Sequence, residues 1–221
     1  MKPVLFRRRH VWLPTFWGAL LLLALTAAMA TGVGFSAYRL LAPQSPAAGA
    51  RTLVVEGWLD IAEIRQAAAT ARSGGYERVL TSGGPIEPSM DVGGWQNFAS
   101  RAAAQLRAEG LTAVPVIAVP APATAQERSY LSALMVRAWV KQNDPTLASI
   151  DLYSSGVHAR RSWLVYRMAF GGSVEVGVLA ARPPGYEPRR WWATSAGAKA
   201  VLGETVGLAW TACCFWPASP G

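Results

Sequence analysis

Charge is scarce in this chain. Only 15% of its 221 residues are Asp, Glu, Lys or Arg, against roughly 25% in an ordinary soluble domain. Histidine and cysteine occur twice each. The cysteines, Cys213 and Cys214, are sequence neighbours, and neighbouring cysteines pair only with strain, so no staple between distant segments is expected. Zinc would need ligands from a second pair or from histidines, which the spacing does not offer. The pair reads as two small apolar fillers in a helix. A basic stripe interleaved with aromatics is missing too. The net charge of +8 invites nucleic acid, but Lys2, Arg7, Arg8, Arg9 and Arg39 carry much of it ahead of any folded domain. From Pro43 onward 16 basic residues meet 13 acidic ones, a balance of +3 and an ordinary surface. Nucleic-acid binding is therefore set aside.

The longest absence points elsewhere. From Val11 to Tyr38, 28 residues pass without one Asp, Glu, Lys or Arg. As a helix at ~1.5 Å per residue this exceeds the ~30 Å hydrocarbon layer of a membrane. Trp12 and Trp17 near one end and Tyr38 near the other suit interfacial anchors. "RRRH" precedes the run and only Arg39 and Arg51 follow closely, so the positive-inside rule puts the N-terminus in the cytoplasm. A cleaved signal peptide competes, since Ala28-Met29-Ala30 fits a cleavage site, but the apolar run continues for about two turns beyond it. The expected organisation is a basic tail (1–10), a transmembrane signal-anchor (11–41), a Pro/Ala/Gly linker (42–50) and an extracytoplasmic domain (51–217).

Within that domain short β-branched runs alternate with helical patterns. "TLVVEG", "RVLTSGG", "VPVIAVP", "SIDLYSSG" and "SVEVGVLA" read as five strands. Helices are expected over "LDIAEIRQAAATARSGG", Trp95 to Glu109, Gln126 to Gln142, His158 to Phe170 and Ser195 to Phe215. Alternation of this kind predicts βαβ units, hence an α/β fold with a mostly parallel five-stranded sheet covered on both faces as a three-layer sandwich. The stretch Val201 to Trp216 is apolar, but Glu204 interrupts it and its clean part is too short to span. It is expected to pack on the sheet or rest near the bilayer surface.

Ligands of open α/β sheets bind beyond the carboxyl ends of the strands. The residues just after each strand therefore form the candidate set. They are Glu56 and Gly57, then Ser82, Gly83 and Gly84, then Glu127 and Arg128, then Ser154, Ser155, Gly156 and His158 with Arg160 and Arg161 one turn in. The strand-to-helix turn at Gly156 offers free N–H groups and the positive end of a helix dipole, which favour an anion. Arg160 and Arg161 differ by about 100° around a helix, so one of them faces the ligand. A hydrolase or transferase reading makes Ser154 or Ser82 the nucleophile, His158 the base and Glu127 or Glu56 the residue orienting the imidazole. No Gly-x-Ser-x-Gly elbow accompanies it. A non-catalytic assembly factor, with this edge merely structural, is the third possibility.

"LVVEGW…SGGYERVLTSGGP…SSGVHARRSWLVYRMAFG" resembles the ElyC/SanA/YdcF family of bacterial domains of unknown function, over roughly Thr52 to Trp210. The resemblance implies a Rossmann-like sheet and, for membrane-anchored members, a role in the cell envelope linked to peptidoglycan precursors and barrier function. It places the anchor in the inner (cytoplasmic) membrane as a single pass with the domain in the periplasm. The implied partner is an anionic small molecule or a lipid-linked envelope precursor. S-adenosylmethionine, associated with a soluble relative, is discounted on two departures. The glycine-rich turn after strand one reads Val55-Glu56-Gly57-Trp58, and the acidic turn after strand three reads "TAQERSY". No cofactor is assigned.

Overall fold

The computed structural model describes residues 12–87 and 93–217. The expected basic tail, residues 1–10, lies outside them. Contacts divide the chain into two units, residues 1–36 and 37–221.

The uncharged run folds as one helix, α1 (Phe16–Leu41). Among the described residues it is the one helix long and apolar enough to cross a membrane. Both of its threonine hydroxyls are satisfied internally: Thr26 donates to the Leu22 carbonyl at 2.7 Å and Thr31 to that of Ala27 at 2.8 Å. Neither then needs water, as an apolar surrounding demands.

From residue 37 the elements run β1 (Gln44–Ser45), β2 (Thr52–Glu56), α2 (Ile61–Ser73), β3 (Arg78–Gly83), α3 (Phe98–Ala108), β4 (Val116–Pro120), α4 (Arg128–Asn143), β5 (Ser149–Ser155), α5 (Ala159–Phe170), β6 (Glu175–Ala181) and α6 (Ser195–Cys214). The result is an α/β fold on one six-stranded mixed sheet ordered β1-β6-β5-β2-β3-β4. All neighbours are parallel except the edge pair β1 and β6. The chain steps outward from β2 through β3 to β4, then returns to the other side of β2 for β5 and β6. Strand order therefore reverses between β2 and β5.

Side chains alternate across the pleat, and the two faces are closed by different helices. Leu53, Val55 and Val79 pack under α2 and α3 with Ile64, Ala67, Ala102 and Leu106. Val54, Leu80, Ile150 and Leu152 pack under α4 and α5 with Ala133, Val136, Tyr166 and Phe170. Small residues on α2 and α3 let those helices approach closely. Asp60 caps α2 in a reciprocal box with Glu63, and Asn97 caps α3 through the Ser100 amide.

Two expectations change. The sheet has six strands rather than five, because the proposed linker 42–50 is not slack. Gln44–Ser45 pairs with β6, Gln44 Nε2 donates to the Ala180 carbonyl at 2.6 Å, and the Ala47 amide donates to the buried Asp151 carboxylate at 2.7 Å. Proline and alanine hide this in the sequence, since the pairing is an edge contact where proline is tolerated. Only glycine at 177 lets the segment approach, as a Cβ there would fall 2.0 Å from Asp151 Oδ1 and 2.1 Å from the Ala47 nitrogen. Tyr76 also donates to Asp151, at 2.6 Å. Replacing Asp151 by Ala strands both buried donors and is expected to cost about 2 kcal/mol. Faster hydrogen exchange at the Ala47 amide would report it.

The second change concerns Cys213 and Cys214, which are disulfide-bonded and exposed at the end of α6. They are not buried fillers. The bridge spans one peptide bond and ties no separate elements together.

Candidate functional site

The reversal between β2 and β5 leaves the carboxyl ends of the central strands open to one side, and a cavity of about 680 Å³ lies there. Parity decides which strand-end residues reach it. Glu56, Ser82 and Ser154 continue the alternation of Val54, Leu80 and Leu152, so all three turn toward α4 and α5. Glu56 is buried, at 3% exposure, and accepts from Ser162 of α5 at 2.9 Å and from Ser154. Ser82 shares a 2.8 Å hydrogen bond with the Tyr166 hydroxyl, whose own acidity is strongly suppressed by burial. Ser155 has the opposite parity and crosses to the other face, where it donates to Glu63. Burial pushes that carboxyl up from its usual range.

His158 lies in a 3₁₀ turn, Gly156–His158, that leads into α5. Gly156 has φ +33°, a conformation a side chain would strain, and a Cβ there would lie 3.4 Å from Pro183 Cδ. The His158 Nδ1 is 2.8 Å from Glu204 Oε1 and 2.9 Å from Arg161 Nη2. A carboxylate only accepts and a guanidinium only donates, so the two contacts demand opposite tautomers. Glu204 has the stronger claim. Arg161 already donates to it through Nε at 2.8 Å and Nη2 at 3.1 Å, so Nδ1–H toward the carboxylate leaves no donor idle. The ring stands edge-on to Trp58, 4.9 Å between centroids, and its Nε2 is buried without a partner. Burial alone would raise the Glu204 carboxyl, but hydrogen bonds from His158 and Arg161, with their charge, outweigh it and pull it down to about 2.

Beside the cavity, α4 begins without a side-chain cap. Glu127 occupies the cap position in a left-handed conformation, φ 55°, and its carboxylate bonds nothing there. The cap residue's side chain therefore covers none of the first-turn amides of α4. Arg128, Ser129 and Ser132 of the same helix line the cavity, where Arg128 Nη2 donates to Glu87, another lining residue, at 2.7 Å. Ser132 is only 8% exposed. The lining also includes apolar Pro85, Ile86, Phe98, Pro122 and Val157.

Of the residues expected from the sequence, Glu56, Ser82, Gly83, Gly84, Arg128 and His158 line this one cavity. Ser154 sits behind Glu56. Gly57 supports the wall from below, with its amide on the Ser82 carbonyl at 2.6 Å. Of the two arginines, Arg161 faces His158 while Arg160 turns away to the Leu40 carbonyl at 2.7 Å. The charge at the α5 turn is nonetheless not available to an anion, because Glu204 neutralises Arg161. The imidazole is oriented by Glu204, not by Glu127, which is exposed, nor by Glu56. Neither serine proposed as nucleophile touches His158, since Ser154 donates to Glu56 and Ser82 pairs with Tyr166. Glu204, Ser132, Ser162 and Tyr166 escaped notice. Only Glu204 left a signal, as the single charge in an otherwise apolar stretch. No protein-family model matches the chain, and no curated protein matches it.

Proposed function

We propose that this chain is a membrane-anchored envelope protein of the ElyC/SanA/YdcF type, whose Rossmann-like domain binds a phosphorylated, hydroxyl-rich ligand such as a sugar phosphate or its lipid-linked form. The observation that carries the reading is one cavity, at the point where strand order reverses, lined by acceptors, donors and apolar side chains together. The Glu56 and Glu204 carboxylates beside His158 suit sugar hydroxyls. The start of α4, where the cap residue makes no side-chain bond, suits a phosphate with the Ser129 and Ser132 hydroxyls and Arg128, whose guanidinium would be shared with Glu87 at 2.7 Å. The apolar part of the lining suits the face of a sugar ring or the start of a lipid chain. An apolar helix at the N-terminus supports anchoring, and the excess of basic residues before it supports a periplasmic domain.

The test is a thermal-shift series on the full chain in detergent, with sugar phosphates, the corresponding free sugars and inorganic phosphate. Sugar phosphates should raise the melting temperature in a concentration-dependent way, by mass action. The paired substitution Ser132→Ala and Arg128→Ala should weaken the response about tenfold in apparent Kd, the equivalent of about 1.4 kcal/mol. A flat series with every phosphorylated compound sinks the binding reading and favours an assembly factor.

A second reading has one observation in its favour. Carboxylate, imidazole Nδ1 and an unpartnered Nε2 at a cavity wall form the orienting half of an acid–base apparatus. Any such chemistry would take its nucleophile from water or from the ligand. His158→Ala should then abolish turnover while leaving binding at the start of α4 intact.

A further inference from the structure

We infer that the outer face of α6 lies on the lipid surface of the membrane that α1 enters; this rests on reading α1 as a span and is independent of what the cavity binds. Helix α6 turns Gly197, Val201, Glu204, Leu208 and Thr211 toward the domain. Its other side presents Leu202, Val206 and Trp210 at a four-residue spacing, exposed by 60%, 69% and 46%. Between Val201 and Trp216 the one charged residue is Glu204, and it is paired inward. A helix face meeting water is ordinarily charged, as α2 is here with exposed Arg65 and Arg72 bonded to Glu109.

Three observations make lipid the occupant. The last turn of α1 packs on this same helix, with Tyr38 and Leu41 in one cluster with Val201 and Leu208, and Arg160 holds the Leu40 carbonyl. Helix α6 is thus a direct neighbour of the point where the apolar helix joins the domain. The exposed aromatics are of the interfacial kind, with Trp216 at 83% exposure following Trp210. The 3₁₀ segment Pro188–Ala193 abuts the first turn of α6, where a Cβ at Gly197 would meet the Trp191 carbonyl at 2.2 Å. Exposed Arg189 and Arg190 on that segment and exposed Lys199 in the first turns of α6 are cations suited to anionic headgroups.

Site-directed spin labelling of the full chain tests this. In a Cys213→Ser, Cys214→Ser background, labels go at Leu202→Cys, at Val206→Cys and, as control, at Thr112→Cys in the exposed loop after α3. The protein is reconstituted in phosphatidylethanolamine–phosphatidylglycerol vesicles, and label accessibility to oxygen and to a polar nickel chelate is measured. Labels at 202 and 206 should favour oxygen over the chelate several-fold more than the label at 112. Chelate access equal to that at 112 overturns the inference by placing the face in water. Exclusion of both reagents overturns it too, by placing the face against protein, such as a second copy of the chain. All three sites are exposed, and either α6 position read alone is decisive.

Discussion

Glu204→Gln is expected to destabilise the domain by roughly 2 kcal/mol at neutral pH and to do so less as the pH falls. The carboxyl is held down to about 2 from an ordinary 4.5. By linkage that difference sets an upper bound of about 3 kcal/mol. The pair keeps 20% of the Glu204 side chain in water, and screening there reduces the figure. The sign follows from the depressed value. The carboxylate contributes fully above pH 4.5, and its contribution is lost as the pH falls toward 2. Glu63 and Asp151, both raised by burial, act with the opposite sign, favouring the fold as acid protonates them. Comparing wild type with the variant cancels them. Denaturant unfolding at pH 7, 4 and 2.5 should show the gap between the two closing; a gap unchanged across that range would mean that Glu204 is not ionised against His158 and Arg161.

Gly57→Ala should be costlier, about 3 kcal/mol, and should also abolish ligand binding. A Cβ at this position would lie 2.4 Å from the Phe98 carbonyl oxygen, 2.6 Å from its carbon and 2.7 Å from the Ser82 carbonyl oxygen. All three are backbone atoms, so no side chain can swing aside. Overpacking of that kind ordinarily costs about 1–3 kcal/mol, more where backbone must move. The relief has to come from the start of α3 or the end of β3. Arg101 adds to the rigidity, because its Nη2 donates to the carbonyls of Gly57 at 3.0 Å and Leu59 at 2.7 Å. Phe98 and Ser82 both line the cavity. A variant that melts like wild type and still shows the sugar-phosphate shift would refute the close-approach role of this glycine.

The parallel strands and the helices around them were legible because their signals are local. "TLVVE" and "SIDLYSS" are β-branched runs closed by turns, and the helices between them carry apolar periodicity. Local reasoning also found the edge where the cavity lies, since every parallel strand delivers its last residues to the same side. It failed where a side chain's role depends on a partner far along the chain. His158 and Glu204 are 46 residues apart, and from the sequence the acid was only an interruption in a greasy helix. That is itself a usable cue. A lone carboxylate on the buried stripe of Val201 and Leu208 must find a cation or a donor. Arg161 misled in the same way, for its charge was visible and its neutralisation was not. The segment 42–50 misled by composition, because proline and alanine read as slack chain whether or not Asp151 holds it.

That segment also decides how residues 37–41 are joined to the sheet. Nine free residues of flexible chain would have a root-mean-square reach of about 15–18 Å, a leash on which a domain could roam and tumble. Here the leash has been taken in. Residues 37–50 belong to the folded unit, with Leu41 and Ala47 buried and Gln44–Ser45 sewn to β6. A pull applied at Ala42 would meet the sheet's edge and the Asp151 carboxylate at once, with no elastic spacer to absorb it.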